Sequence, residues 1–366
     1  MRCRRPFGIL AIVAQAFAAC IFFQTACAPR PSVQVLTAGS PPIFAVHVLM
    51  DRSAARGVDA LEGEIPALAR AGVNLIIIEV DYSFEYESHP ELRGKDPLSK
   101  SRARALADLC RRNGIRLVPE FQSLGHQSWE GETFPLLARY PELDETPGKF
   151  PANKDIYCRS WCPLHPDLNP IIFSLYDELI DAFEADGFHV GMDEVFLIAD
   201  KDCPRCGGKD PAELFAGAVN AAYGHLVRDK GVEMFMWADR LIDGGTCLYG
   251  EWEASMNGTW PAVDKIPRDI VLCDWHYERA YEGMKGTGFP SVPIFLDQGF
   301  RVLPCSFKDT RAVRMLIDYS FKYPTGRMLG HMNTSWGGAK AGRIHENKSF
   351  NTIARELRKH GLKNGR

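Results

Sequence analysis

Gly187-Phe188-His189-Val190-Gly191-Met192-Asp193-Glu194-Val195-Phe196 is the stretch that decides the fold. A short apolar run leads into two adjacent carboxylates. A glycine stands two positions before Asp193 and a histidine four positions before it. Successive side chains of a regular strand alternate faces, so Asp193 and Glu194 could not share a pocket inside one. They share one where the strand ends and the backbone turns. Two carboxyls at the carboxyl end of a buried strand suit acid/base chemistry in an α/β barrel. A solvated Asp-Glu loop is the plainer alternative, but this pair follows a buried-looking run rather than a charged one.

Outward from this stretch the same layout recurs: amphipathic helix, glycine, apolar strand. Val58, Leu61, Ile65 and Leu68 have helical spacing and lead through Gly72 into an apolar run at 73–79. Leu106, Leu109 and Cys110 precede Gly114 and the run at 115–120. Leu175, Leu179, Ile180 and Phe183 precede Gly187, and Pro170 suits the first position of that helix. A helix from about 211 ends near Gly231, before a strand at 232–237. Further strands are predicted at 43–49, 270–275, 292–296 and 328–333, with helices at 309–319 and 350–357. Near-continuous apolar strands alternating with helices predict a parallel sheet covered by helices. Eight such units predict the α/β class, as a single closed (β/α)8 TIM barrel spanning 43–366. No glycine-rich phosphate fingerprint follows the first strand, which argues against a dinucleotide fold. Residues 127–167 form a long excursion after the third strand, read as a lid or rim loop.

The composition is that of an ordinary globular protein: 366 residues, 46% hydrophobic, 24% charged, net charge -3. The weak acidic balance gives no hint of a nucleic-acid partner. Arg2, Arg4 and Arg5 followed by the apolar run 7–19 read as an export signal over 1–27, with a short tether at 28–42. Cys20 and Cys27 each follow small residues, as at a bacterial lipoprotein cleavage site. The expected location is therefore the bacterial cell envelope or periplasm, with the membrane reached only through a lipid anchor. Eight of the eleven cysteines lie beyond residue 27. Cys158, Cys162, Cys203 and Cys206 fall as two local pairs, and Cys203-Pro204-Arg205-Cys206-Gly207-Gly208 has the form of half a zinc knuckle. The four suit one structural zinc ion, disulfides in an exported protein, or free thiols.

In a barrel the residues just past each strand's carboxyl end line the active site. The first strand offers Asp51. The third offers Glu120, Gln122 and His126, and the fourth offers Asp193 and Glu194. The fifth offers Trp237 and Asp239, the sixth Asp274, Trp275 and Tyr277, the seventh Asp297 and the eighth Trp336. Carboxylates and amides bind hydroxyls, and indole faces stack on the apolar face of a pyranose. This mixture predicts a sugar pocket. His189, inside the fourth strand, is read as a supporting residue.

At these residues the chain resembles the family 20 glycoside hydrolases, the β-N-acetylhexosaminidases. His189, Gly191, Asp193 and Glu194 match their His-x-Gly-x-Asp-Glu strand. Pro119-Glu120 followed by Gly125-His126 is a second match, and Cys162-Pro163-Leu164-His165-Pro166 a third. The Glu79-Val80-Asp81 strand end and Trp275-His276-Tyr277 are similar to the hexosaminidase D branch. Departures are visible too. Arg52 is a weak match to the family's sugar-gripping arginine, Gly337 follows Trp336 where many members have Trp-x-Glu, and Phe295 replaces an expected tyrosine.

The resemblance implies exo-acting, substrate-assisted, retaining hydrolysis of terminal N-acetylhexosamine from glycans. Glu194 would protonate the glycosidic oxygen and then activate water. The substrate's 2-acetamido oxygen would attack the anomeric carbon while an ionised Asp193 orients the amide. Asp51, Gln122, His126, Trp237, Asp239, Trp275, Tyr277, Asp297 and Trp336 would contact the sugar. No metal or organic cofactor is needed. The competing readings are a non-catalytic, surface-anchored glycan-binding barrel and a glycosidase for a different sugar.

Overall fold

Eight parallel strands close into a barrel in the computed structural model, which describes residues 41–50, 54–280, 288–323, 326–337 and 343–363. The predicted export leader, Asp51 and Arg52 lie outside the described residues. The strands are β1 Ile43–Leu49, β2 Leu75–Glu79, β3 Arg116–Ser123, β4 Gly187–Gly191, β5 Glu233–Trp237, β6 Val271–Trp275, β7 Arg301–Ser306 and β8 Gly330–Ser335. Each pairs with its neighbours in sequence, and β8 closes on β1 with Ile43 opposite Gly330. This is the predicted (β/α)8 barrel. Among the described residues no helix is long and apolar enough to cross a membrane.

The strands read as continuous apolar runs because both of their faces are buried. Ala45, Leu75, Ile77, Val118, Phe235, Val271, Cys273 and Leu303 fill the barrel interior. Their strand neighbours Phe44, Val46, Ile76, Ile78, Met234, Leu272 and Val302 pack outward against the helices. The amino-terminal end of the barrel is closed by ion pairs: Glu233 binds Arg301 and also Arg116, the latter at 2.5 Å.

Helices Ala54–Ala71, Lys100–Arg112, Leu168–Phe183, Pro211–Tyr223, Thr310–Ser320 and Lys348–Lys359 cover the sheet. Pro170 is the third residue of its helix rather than the first, still within the turn whose N–H groups have no helical partner. The helix predicted to run from 211 to 231 passes at Gly224–Asp229 into a π-helical turn.

The seventh strand is a correction. Residues 292–296 belong to the helix Ser291–Asp297, and the strand is Arg301–Ser306. A short buried apolar run has no period that separates helix from strand. The true strand carries Arg301, Pro304 and Ser306, which obscured it. Asp297 therefore ends a helix that precedes β7, is exposed, and does not sit at a strand's carboxyl end. The contrast with Phe295 also lapses, because that ring is packed in the helix layer.

One irregularity positions the site. Between β3 and β4 the register shifts: Glu120 faces His189, but Ser123 faces Gly191. β3 thus carries one more residue than β4 over this interval. Bulges of this kind re-aim side chains beside active sites, and here the displaced residues are Phe121 and Gln122.

Candidate active site

The backbone at the end of β4 solves the problem posed by two adjacent carboxylates. Gly191, Met192 and Glu194 all take left-handed conformations, with φ of 66°, 69° and 48°. These turns replace strand alternation and bring both Asp193 and Glu194 to one pocket. Left-handed Met192 and Glu194 each cost on the order of 1–3 kcal/mol, so the surroundings must hold them. The Glu194 amide donates to Asp239 Oδ2 at 2.9 Å. Asn257 Nδ2 donates to the Val195 carbonyl at 2.8 Å. A side chain at residue 125 would meet the Asp193 carbonyl at 3.1 Å, which accounts for Gly125.

Asp193 is buried between two partners. Gln122 Nε2 donates to its Oδ1 at 2.7 Å, and His126 Nε2 lies 3.3 Å from its Oδ2. The same His126 nitrogen lies 3.3 Å from Glu194 Oε2. Burial works against charge on Asp193, but the His126 imidazolium and the Gln122 amide outweigh it and hold its carboxyl below the usual range. Burial likewise opposes charge on His126, and Asp193, with Cys158 and Glu194 adding to it, raises its imidazole well above the ordinary value. Asp193 is thereby kept ionised beside Glu194.

A second polar cluster lies below, inside the barrel. Fully buried Glu120 accepts from Trp237 Nε1 at 2.9 Å and pairs with His47 and His189, each at 3.1 Å. His47 also lies 3.3 Å from Glu79. Burial opposes charge throughout this cluster. The two imidazoles nevertheless bring Glu120 to about 2, and the carboxylates lift His47 to about 9. His189 rises to about 10, with Glu120 again the main partner against burial. Glu120 is thus a buried anchor rather than a pocket-lining acid, and His189 supports it as expected.

The predicted aromatic residues converge. Trp336 Nε1 donates to the Tyr277 hydroxyl at 3.0 Å, and Tyr277 packs on Trp275 with ring centres 4.9 Å apart. Trp237 lies 5.9 Å from Trp336. Trp237 is fully buried with its Nε1 committed to Glu120, so it underlies the pocket. Asp239 corrects the expectation of direct sugar contact. Its Oδ2 accepts from the Glu194 amide and from Arg240 Nε at 2.7 Å, and its Oδ1 accepts from Trp275 Nε1 at 3.2 Å. It holds other groups in place. Burial, against the pull of Arg240, pushes it up to about 6. Asp274 faces the helix layer, where Ser291 Oγ donates to it at 2.7 Å. Asp297 does not belong to the pocket.

Three features were missed. Tyr157, from the 127–167 excursion, sits among His126, Trp129, Phe196 and Trp252, with ring centres 4.8–5.7 Å away. Trp129 and Trp252 stay about half exposed at 42% and 44%, forming an aromatic rim beside Glu194. No strand-end position marks these loop residues in the sequence. The third is Glu145, which takes the place of Cys158 in the predicted four-cysteine set. The Cys158 sulfur lies 3.9 Å from the Glu194 carbonyl, while Cys162, Cys203 and Cys206 gather around Glu145.

The catalytic-domain model of glycosyl hydrolase family 20 matches residues 79–287, more than half of the chain and all of the β4 site. The chain belongs to glycosyl hydrolase family 20. It is 27% identical over 188 residues to hexosaminidase D of Bos taurus, covering 49% of this chain and 51% of that one. It is 22% identical over 280 residues to a β-hexosaminidase of Emericella nidulans, covering 68% and 40%. The chain thus spans about half or less of the length of these curated relatives. Among solved structures, Flavobacterium johnsoniae chitobiase superposes with a TM-score of 0.60 at 19% identity, covering 88% of this chain and 52% of that one. That likeness establishes the shared barrel. The paired carboxylates at the end of β4 lie inside the matched region.

Proposed function

We propose that this family 20 barrel is an exo-acting β-N-acetylhexosaminidase that releases terminal N-acetylhexosamine by substrate-assisted, retaining catalysis. One observation carries the reading: Asp193 is held ionised between Gln122 and His126, next in sequence to Glu194. Glu194 protonates the glycosidic oxygen and later takes a proton from water. The substrate's acetamido oxygen attacks the anomeric carbon, so no enzyme carboxylate forms a covalent bond. Asp193 orients the acetamide N–H and offsets the positive charge of the cyclic oxazolinium intermediate. Trp275, Tyr277 and Trp336 wall that side of the pocket, and excluding water there strengthens the Asp193 interaction.

Turnover of an aryl N-acetylglucosaminide or N-acetylgalactosaminide against its plain 2-hydroxy counterpart tests this reading. Only the acetamido sugar should react, and a thiazoline analogue of the intermediate should inhibit strongly. Glu194→Gln should lose about 10²–10⁴-fold in turnover of substrates with poor leaving groups while still binding sugar. A trapped glycosyl adduct on Asp193 or Glu194 would refute the mechanism. Sugar binding with no turnover of either substrate would instead favour a glycan-binding barrel.

We further propose export to the cell envelope with lipid attachment at Cys20 or Cys27, supported by the arginine-led apolar leader. Cell fractionation with fatty-acid labelling of the mature protein checks it, and unlabelled cytosolic protein refutes it.

A further inference from the structure

Glu145, Cys162, Cys203 and Cys206 place one carboxylate oxygen and three sulfurs within 4.8 Å of one another, all four residues buried. Cys162 Sγ lies 3.4 Å from Cys206 Sγ and 3.6 Å from Cys203 Sγ. A tetrahedral zinc with bonds of about 2.3 Å to sulfur spaces its sulfurs about 3.8 Å apart, so these separations nearly match such a shell. Glu145 supplies an independent sign of an occupant. Its Oε1 accepts from the Asp200 amide at 3.0 Å, but its Oε2 is buried with no hydrogen-bond partner. A buried carboxylate oxygen without a partner is costly, and a cation satisfies it.

The backbone around the cluster is built for thiolates. The Cys206 amide donates to Cys203 Sγ at 3.4 Å, as in a zinc knuckle. A side chain at Gly207 would come within 2.9 Å of the carbonyls of Cys203 and Lys201, so the tight turn requires glycine there. The Asp144–Trp161 bridge and the bond from the Glu145 amide to the Ser160 carbonyl at 3.0 Å set Glu145 and Cys162 on adjoining segments.

We propose that Glu145, Cys162, Cys203 and Cys206 bind a structural zinc ion. Binding exchanges three thiol protons for one divalent ion, giving a closed Cys3Glu shell with no open position for catalysis. The ion ties the loop after β3 to the loop after β4. The first of these carries His126 and Tyr157, and the second leads directly from Asp193 and Glu194.

Metal analysis of the mature protein, purified without chelator, should find about one zinc per chain. Cobalt substitution should give the thiolate charge-transfer band and intense visible bands of a tetrahedral site, a readout that needs no variant. Glu145→Gln and Cys206→Ser should weaken zinc binding by more than the roughly 10–100-fold cost of losing an outer-shell partner. Cys110→Ser should leave the metal in place, and chelator should lower the thermal midpoint of the parent protein. Two results overturn the assignment. One is folded protein that takes up no zinc on dialysis when fully reduced, or that as purified carries a disulfide among these cysteines. The other is bound metal whose cobalt spectrum lacks thiolate bands.

Discussion

Gln122 reaches Asp193 at 2.7 Å through space that residue 191 leaves empty. A Cβ built on Gly191 would fall 2.0 Å from Gln122 Oε1, at a backbone φ of 66° that disfavours any other residue. The glycine of the β4 motif is therefore part of the electrostatic support of Asp193. The β3 bulge brings Gln122 to the gap, and the missing side chain lets it in.

Gly191→Ala should fold but displace Gln122 from Asp193. Misplacement by about 1 Å costs on the order of 10²-fold in rate. The expected outcome is a fall of that order in kcat for an aryl N-acetylhexosaminide, with near-normal circular dichroism. Full activity would show that the Gln122 contact does not matter.

Trp252 stands at the rim, packed on Phe196 at 5.2 Å and on Tyr157 at 4.8 Å. Under the proposed function it would receive the sugar beyond the cleaved bond. Trp252→Ala should raise KM for a di- or trisaccharide roughly 2–10-fold, the worth of one aromatic contact, with kcat retained. Trp260→Ala, exposed but outside this cluster, is the control. Equal effects of the two substitutions would remove the rim from substrate binding.

Glu120→Gln tests the buried cluster. It leaves the fully buried His47 and His189 imidazoles without their shared counter-charge. Breaking a buried ion pair costs about 3–5 kcal/mol. Denaturant unfolding should show a loss of that size, and a loss below about 1 kcal/mol would mean that the imidazoles are neutral.

Stability should fall as pH rises above neutral. His47 and His189 titrate at about 9 and about 10 in the fold, against an ordinary value near 6.5. Their stabilisation is complete below about pH 6.5 and is lost as pH climbs through 9 to 10. Unfolding at pH 8 should release protons, and calorimetry in buffers of different ionisation enthalpy counts them. A flat stability profile from pH 6.5 to 9.5 contradicts protonated imidazoles.

Much of this was legible in residue order. The apolar runs at β1, β2 and β4 mark barrel strands because both faces of such strands are covered. Asp193 and Glu194 stand out as two adjacent carboxylates that follow a buried-looking run rather than a charged one, and Trp275, Tyr277 and Trp336 follow from strand-end positions. Where the run was short, as at 292–296, the same logic misread a helix.

Sequence alone determined the repeat of helix and strand, and with it the barrel and the end on which the paired carboxylates sit. Both follow from local period and burial. Tertiary structure decided which polar groups are spent on one another. It turned Asp239 from a sugar ligand into a brace, sent Cys158 to the Glu194 backbone, and brought Glu145 to three cysteines. It also set Tyr157 and Trp252 side by side from loops about a hundred residues apart. Hydrogen bonds and close contacts between distant segments depend on three-dimensional approach, and no spacing along the chain encodes that approach.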